Sequence, residues 1–193
     1  MPRSVLSTIG SLAAVAALAL AGFSALLPAA PAAASEESTT TTQARPLLKV
    51  PFPCHQEWRG VTFAGHERAL AIDFNQGSGD SDLGRPVKAS AAGTVSTARF
   101  LSGQGFGEYV IINHGGGWQT VYAHLQRGST TVSVGDRVSA TTTIGRVGKT
   151  GLVDSTSHLH YEQRLNGDDV RIVFGRSNAV QYYATDYFTR TSC

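Results

Sequence analysis

From residue 47 to the C-terminus, apolar and polar positions alternate in short runs punctuated by glycine, and no 3.6-residue period is sustained. Residues 69–74 form the first run. In an extended strand Leu70, Ile72 and Phe74 take one face, and Ala69, Ala71 and Asp73 the other. Further runs cover 93–100, 108–114 and 118–125, the last two joined by Gly115-Gly116-Gly117 as a hairpin turn. Runs at 132–138 and 142–147 follow, with Gly135-Asp136 and Gly145 as turn punctuation. Residues 158–165 and 170–173 make a closing pair around Asn166-Gly167-Asp168. The pattern predicts about eight strands and little helix, that is, a mainly β domain built as an antiparallel β-sandwich or partly open barrel. Glycine supplies 21 of 193 residues, above the usual ~7%. Because the runs between the glycines stay apolar, the excess marks turns rather than disorder.

The first 34 residues follow a different logic. Arg3 is followed by an almost wholly apolar stretch over 12–27, then Ala32-Ala33-Ala34 before Ser35, the order of a secretory signal peptide. Gly22, Ser24 and Pro28 interrupt the stretch, which falls short of the ~20 residues of a membrane span. Residues 35–46, with four threonines at 39–42, read as a disordered leader, leaving 47–193 as the folded domain. Export accounts for the two cysteines. Cys54 and Cys193 flank that domain and are predicted to pair in an oxidising compartment, and neither belongs to a Cys-x-x-Cys metal motif. With 16 basic against 14 acidic residues and no basic cluster, nucleic acid is excluded as a partner.

Candidate chemistry centres on Ser157-His158-Leu159-His160-Tyr161-Glu162. A strand places His158 and His160 on one face, Cα atoms roughly 6–7 Å apart, and Leu159 and Tyr161 on the other. Such a pair suits a metal ligand beside a catalytic base, or equally two solvated histidines on an edge strand. His66, Asp73, His124 and His114 are the other side chains able to reach a cation. A catalytic zinc takes three imidazole or carboxylate ligands and leaves a position to water, so two His and one Asp would suffice. Competing motifs are incomplete. No His-Glu-x-x-His occurs. Gly148-Lys149-Thr150 lacks the upstream glycine of a phosphate loop, Thr143 standing there. His114-Gly115-Gly116-Gly117 has no Gly-x-Ser-x-Gly to serve. Residues 73–82 lack the glycine and glutamate of a calcium loop, so Asp80 and Asp82 read as a solvated loop. His55 and His114 read as non-ligands, and Trp58 and Trp118 as core or groove wall.

Taken together, several motifs in order resemble the lysostaphin-type or β-lytic zinc endopeptidases, the LytM-like M23 family. These are His66 with Asp73-Phe74, the stretch from Gly84 to Val95, His114-Gly115-Gly116-Gly117, Tyr122-Ala123-His124-Leu125, Val134-Gly135-Asp136-Arg137-Val138, Ile144-Gly145-Arg146-Val147-Gly148, Thr150-Gly151 and His158-Leu159-His160-Tyr161-Glu162. The resemblance covers roughly residues 63–165. It implies long loops around a groove over the sheet, one Zn2+ per chain held by His66, Asp73 and His160, and His124 and His158 as the catalytic pair, with their division of labour open. It also implies hydrolysis of peptide cross-links in bacterial peptidoglycan by a secreted or cell-wall-associated monomer with no stable membrane span once the signal is removed. Two departures stand out. Six residues separate His66 from Asp73, the longer gap of the β-lytic branch, and Ser157 stands where proline often precedes His-x-His. The rival reading is a catalytically inactive LytM-like module that binds cell-wall peptide or regulates another hydrolase. Such modules lose ligands, whereas here all five positions are filled. A biotinyl-type hybrid barrel over 134–148 would need a presented lysine, and Lys149 has no such setting.

Overall fold

The computed structural model describes residues 44–65, 68–152 and 155–193. The predicted signal peptide and most of the leader lie outside the described residues, as does His66. Within them there are thirteen strands and no helix: β1 Glu57–Val61, β2 Ile72–Asn75, β3 Pro86–Lys88, β4 Gly93–Phe100, β5 Glu108–Gly115, β6 Trp118–Leu125, β7 Arg137–Val138, β8 Thr143–Arg146, β9 Leu159–Leu165, β10 Asp168–Val170, β11 Val173–Phe174, β12 Asn178–Ala179 and β13 Thr185–Thr189. Nine of them form one antiparallel sheet in the order β13-β1-β2-β9-β6-β5-β4-β7, with β10 hairpinned onto β9. The sheet is open, with β13 and β7 at its two ends. Two-stranded pairs β3-β8 and β11-β12 complete the fold.

Alternation decides which face is core. Ile72 and Phe74 on β2, Leu159 and Tyr161 on β9, and Tyr122 on β6 are fully buried on one side. There they meet Val87, Ile144 and Val147 from around the β3-β8 pair. An aromatic cluster closes the β1 end. Trp58 stacks on Phe52 with centroids 3.6 Å apart, and the Phe74 ring stands edge-on to Phe52 and Phe188 at 5.3 and 5.6 Å. Trp58 is thus core. A bridge joins Cys54 to Cys193 across 139 positions, as the sequence predicts.

The register of β9 matters most for function. His160 lies directly opposite Asp73 on β2 and Ala123 on β6, so the face that carries no aromatic core gathers side chains from distant parts of the chain. The predicted run over 132–138 shrinks to Arg137–Val138. Ser133 and Asp136 instead close a turn, through the Asp136 N–H to the Ser133 carbonyl and the Ser133 N–H to the Asp136 carboxylate, and Val134 is left exposed. The predicted 170–173 run is split: β10 pairs with β9 across the left-handed Asn166-Gly167 turn, and Val173 starts the separate β11-β12 pair.

Candidate active site

His158 sits one residue before β9, bridged to Gly148. Its position is set by Ser157, which is gripped at three points. Its N–H donates to Asp80 Oδ1 at 2.8 Å, its hydroxyl donates to Asp82, and its carbonyl accepts from Asn75 Nδ2 at 3.0 Å. Lys149 pairs with the other Asp80 oxygen at 2.5 Å. That pairing, with the Ser157 bond, holds the Asp80 carboxyl below its usual range. The loop expected to be merely solvated is therefore a clamp, and Asp82 is buried.

His124 ends its run differently. Its backbone takes the left-handed conformation (φ 59°), one of four non-glycine residues to do so among those described. Such geometry costs on the order of 1–3 kcal/mol and survives only where neighbours enforce it. Here the His124 N–H donates to the Phe106 carbonyl at 2.9 Å and Nδ1 meets the Thr150 carbonyl at 3.0 Å. Thr150 is fixed in turn by its hydroxyl, which donates to the Leu125 carbonyl at 2.6 Å and accepts from the Glu108 N–H at 2.8 Å. Gly151 and Gly107 let the two flanking loops touch, since a Cβ at Gly151 would lie 2.1 Å from the Gly105 carbonyl oxygen.

These supports bring four predicted residues together. The rings of His124 and His158 are 4.9 Å apart, those of His124 and His160 5.5 Å. Asp73 Oδ1 lies 3.3 Å from His160 Nδ1, and Asp73 Oδ2 lies 3.7 Å from His158 Nε2. All four line a groove of about 370 Å³, walled by Phe63, Phe106, Gln104 and Leu152. His114 is not among them: its ring nitrogens are taken by the Ala92 carbonyl and the Thr120 hydroxyl.

The hydrogen bonds assign the ring nitrogens. A carbonyl only accepts, so His124 and His158, whose Nδ1 atoms meet the Thr150 and Thr156 carbonyls, carry a proton there, and His158 Nε2 lies 3.7 Å from Asp73 Oδ2. Burial, then the neighbouring imidazoles of His158 and His160, lower the His124 pKa to about 3 and hold it neutral, with Nε2 a lone pair. His160 is the reverse. Its Nε2 faces Glu162 Oε1 at 2.9 Å and so bears a proton, which turns Nδ1 toward Asp73. Burial alone would lower the His160 pKa, but the hydrogen bonds and charges of Asp73 and Glu162 outweigh it and raise the value to about 9. The gap between Nδ1 and Oδ1 attracts positive charge.

That gap fits a metal. Two donors held at about 2.0–2.2 Å by a tetrahedral ion lie about 3.3–3.6 Å apart, and the Asp73–His160 separation is 3.3 Å. Among the described residues no set of three His, Cys, Asp or Glu side chains completes a metal site. The third predicted ligand, His66, lies outside them. The sequence reading took Asp80 and Asp82 as a solvated loop, named Thr150 only within a motif, and gave Phe106, Glu162 and Arg164 no role. Only the alternation of Glu162 and Arg164 with His158 and His160 carried a readable signal.

Comparison with known proteins bears on this arrangement of imidazoles and carboxylate on an open antiparallel sheet. The model of Peptidase family M23 matches residues 70–172, more than half of the chain, which therefore belongs to that family. A DD-carboxypeptidase/endopeptidase, Mpg, of Neisseria meningitidis is 42% identical over 90 residues, covering 47% of this chain and 20% of its own. The peptidoglycan DD-endopeptidase ShyC of Vibrio cholerae is 41% identical over 85 residues, with 44% and 18% covered. The chain thus spans about a fifth of the length of these curated relatives. Among solved structures, a point mutant of the catalytic domain of the prophage-encoded M23 protein EnpA of Enterococcus faecalis superposes with a TM-score of 0.50 at 25% identity, covering 63% of this chain and 92% of that one.

Proposed function

We propose that this chain is an exported zinc-dependent endopeptidase that hydrolyses peptide cross-links of bacterial peptidoglycan. The observation that carries the reading is the convergence of Asp73, His124, His158 and His160 in one groove, and the names of the peptidoglycan-acting relatives support the substrate class. Asp73 and His160, with His66, hold one zinc per chain. When bound, zinc supplies a Lewis acid that polarises a carbonyl and acidifies water. His124 and His158 are the proton-handling pair. Each is braced through Nδ1 by a backbone carbonyl, leaving Nε2 to exchange a proton with water or a leaving amine, and His124 is held neutral for that role. Phe63 and Phe106 wall the groove and limit water around the reacting bond. Residues 1–34 are a cleaved signal peptide, 35–46 a leader and 47–193 the peptidase domain, acting outside the cell or at its wall as a monomer.

The test is metal analysis together with mass spectrometry of fragments released from defined peptidoglycan. Wild type carries about one zinc per chain and releases cross-link fragments. His160→Ala loses both metal and cleavage, while His124→Ala and His158→Ala keep zinc and lose cleavage. Zinc-free wild type, or turnover retained in both His124 and His158 variants, overturns the assignment.

A further inference from the structure

Glu162 has no place in the ligand or proton-handling set, yet it is fully buried, where an ionised carboxylate is tolerated only if paired. Both of its oxygens are engaged: Oε1 with His160 Nε2 at 2.9 Å and Oε2 with Arg164 Nε at 2.6 Å. The three residues alternate along β9, so they share the face that lines the groove. Arg164 carries the line onward. Its guanidinium lies over the Phe106 ring at 5.9 Å, and that ring in turn lies 5.5 Å from the His160 imidazole. His160, Glu162, Arg164 and Phe106 therefore close a circuit of contacts, and two of its members line the groove.

We propose that Glu162 is a positioning residue for the metal site, with Arg164 as its brace. It holds His160 as the Nε2–H tautomer with Nδ1 aimed at Asp73, and it makes that nitrogen a stronger donor to zinc. The inference rests on the metal reading of Asp73 and His160. The physical reason is tautomeric. A neutral imidazole has one proton and one lone pair, so an acceptor fixed at Nε2 commits the lone pair to Nδ1. Without such an acceptor the ring can flip or shift its proton, and the donor toward Asp73 is lost for part of the time. A carboxylate does more than a neutral acceptor, because its charge draws the Nε2 proton and raises the basicity of Nδ1. Arg164 keeps Glu162 ionised and aligned, leaving only one oxygen for the imidazole.

The experiment compares wild type, Glu162→Gln and Arg164→Lys, each prepared metal-free, for zinc affinity by chelator competition and for the melting temperature of the metal-free protein. Glu162→Gln keeps the shape and an acceptor but removes the charge, and it should bind zinc roughly 10- to 100-fold more weakly while still folded. Arg164→Lys retains the positive charge but loses the planar fork, and it should weaken zinc binding in the same direction by less. A purely structural role for Glu162 would lower the melting temperature and leave the affinity of the folded protein unchanged, which overturns the proposal. Should Glu162→Gln not fold, unchanged zinc affinity in Arg164→Lys overturns it instead. Wild type that binds no zinc brings down the metal reading itself, a result distinct from equal affinities in wild type and variants.

Discussion

The bridge between Cys54 and Cys193 offers a perturbation whose size follows from the topology. The two cysteines lie just outside β1 and β13, the edge pair whose register runs from Glu57 opposite Thr189 to Val61 opposite Thr185. Replacing both by serine leaves the native contacts of the tail in place. Phe188 remains in the core, the His55 N–H still reaches the Arg190 carbonyl at 3.1 Å, and Arg190 still donates to the Ala140 carbonyl at 2.6 Å. The cost therefore falls on the unfolded state, which gains the freedom of an open chain. For a separation of 139 residues, the loop-closure expression gives about 17 cal/mol/K, or about 5 kcal/mol at 25 °C. A domain of this size loses about 2–4 °C of melting temperature per kcal/mol, so the double serine variant should melt about 10–20 °C below the oxidised wild type.

Calorimetry of the oxidised wild type, the reduced wild type and the double variant reads the shift directly. Urea unfolding supplies an independent marker: an unfolded chain freed of its cross-link expands, exposes more surface and raises the m-value. Zinc content should not change, because β13 is separated from β9 by β1 and β2. A melting temperature within about 3 °C of wild type, with an unchanged m-value, would refute the reasoning.

Two further outcomes are expected. Burial lowers the His114 pKa below its ordinary 6.5, against the hydrogen bond to the Ala92 carbonyl. The unfolded state therefore binds more protons as pH falls from about 6.5, and His114 withdraws stability over that window. His114→Gln should flatten that part of the stability curve when urea midpoints are followed from about pH 7.5 to 5, and an equal slope in both proteins contradicts it. Asp82 accepts from the Gln76 N–H and the Ser157 hydroxyl, so Asp82→Asn should destabilise by about 1–3 kcal/mol. It should also lower kcat on peptidoglycan fragments by loosening His158, with zinc content kept. An unaltered kcat would show that the clamp does not govern His158.

Much of the site was legible because strand periodicity is a property of the backbone. His158 and His160 had to share a face, and Leu159 and Tyr161 had to share the other, whatever surrounded them. The structure puts Leu159 and Tyr161 in the core accordingly. Register was not legible. Nothing in the strings says that Asp73 falls opposite His160 across 87 positions, since that pairing is fixed by packing of the whole sheet. The strand β1 and the edge strand β13 were missed because Glu57 to Val61 and Thr185 to Thr189 mix exposed polar residues with single buried aromatics, and they become strands by pairing with each other over the aromatic cluster. Asp80 is exposed as expected, but its grip on Ser157 and the burial of Asp82 were not legible, for a related reason. An acidic, glycine-rich stretch looks solvated until a distant serine is found bonded to it.

One regularity in β9 deserved more weight than composition gave it. His158, His160, Glu162 and Arg164 succeed one another on a single face of a strand that is buried from Leu159 to Arg164. Burying so many ionisable groups in one row is expensive unless they neutralise one another or something else does. Arg164 offsets Glu162. Asp73 faces the row from β2, with Oδ1 3.3 Å from His160 Nδ1 and Oδ2 3.7 Å from His158 Nε2. A second proton on His160 and a cation between His160 Nδ1 and Asp73 Oδ1 would be rival occupants of one position. The row thus gathers its ionisable groups beside the facing pair His160 Nδ1 and Asp73 Oδ1, and that pair opens onto the groove that His124 and His158 also line.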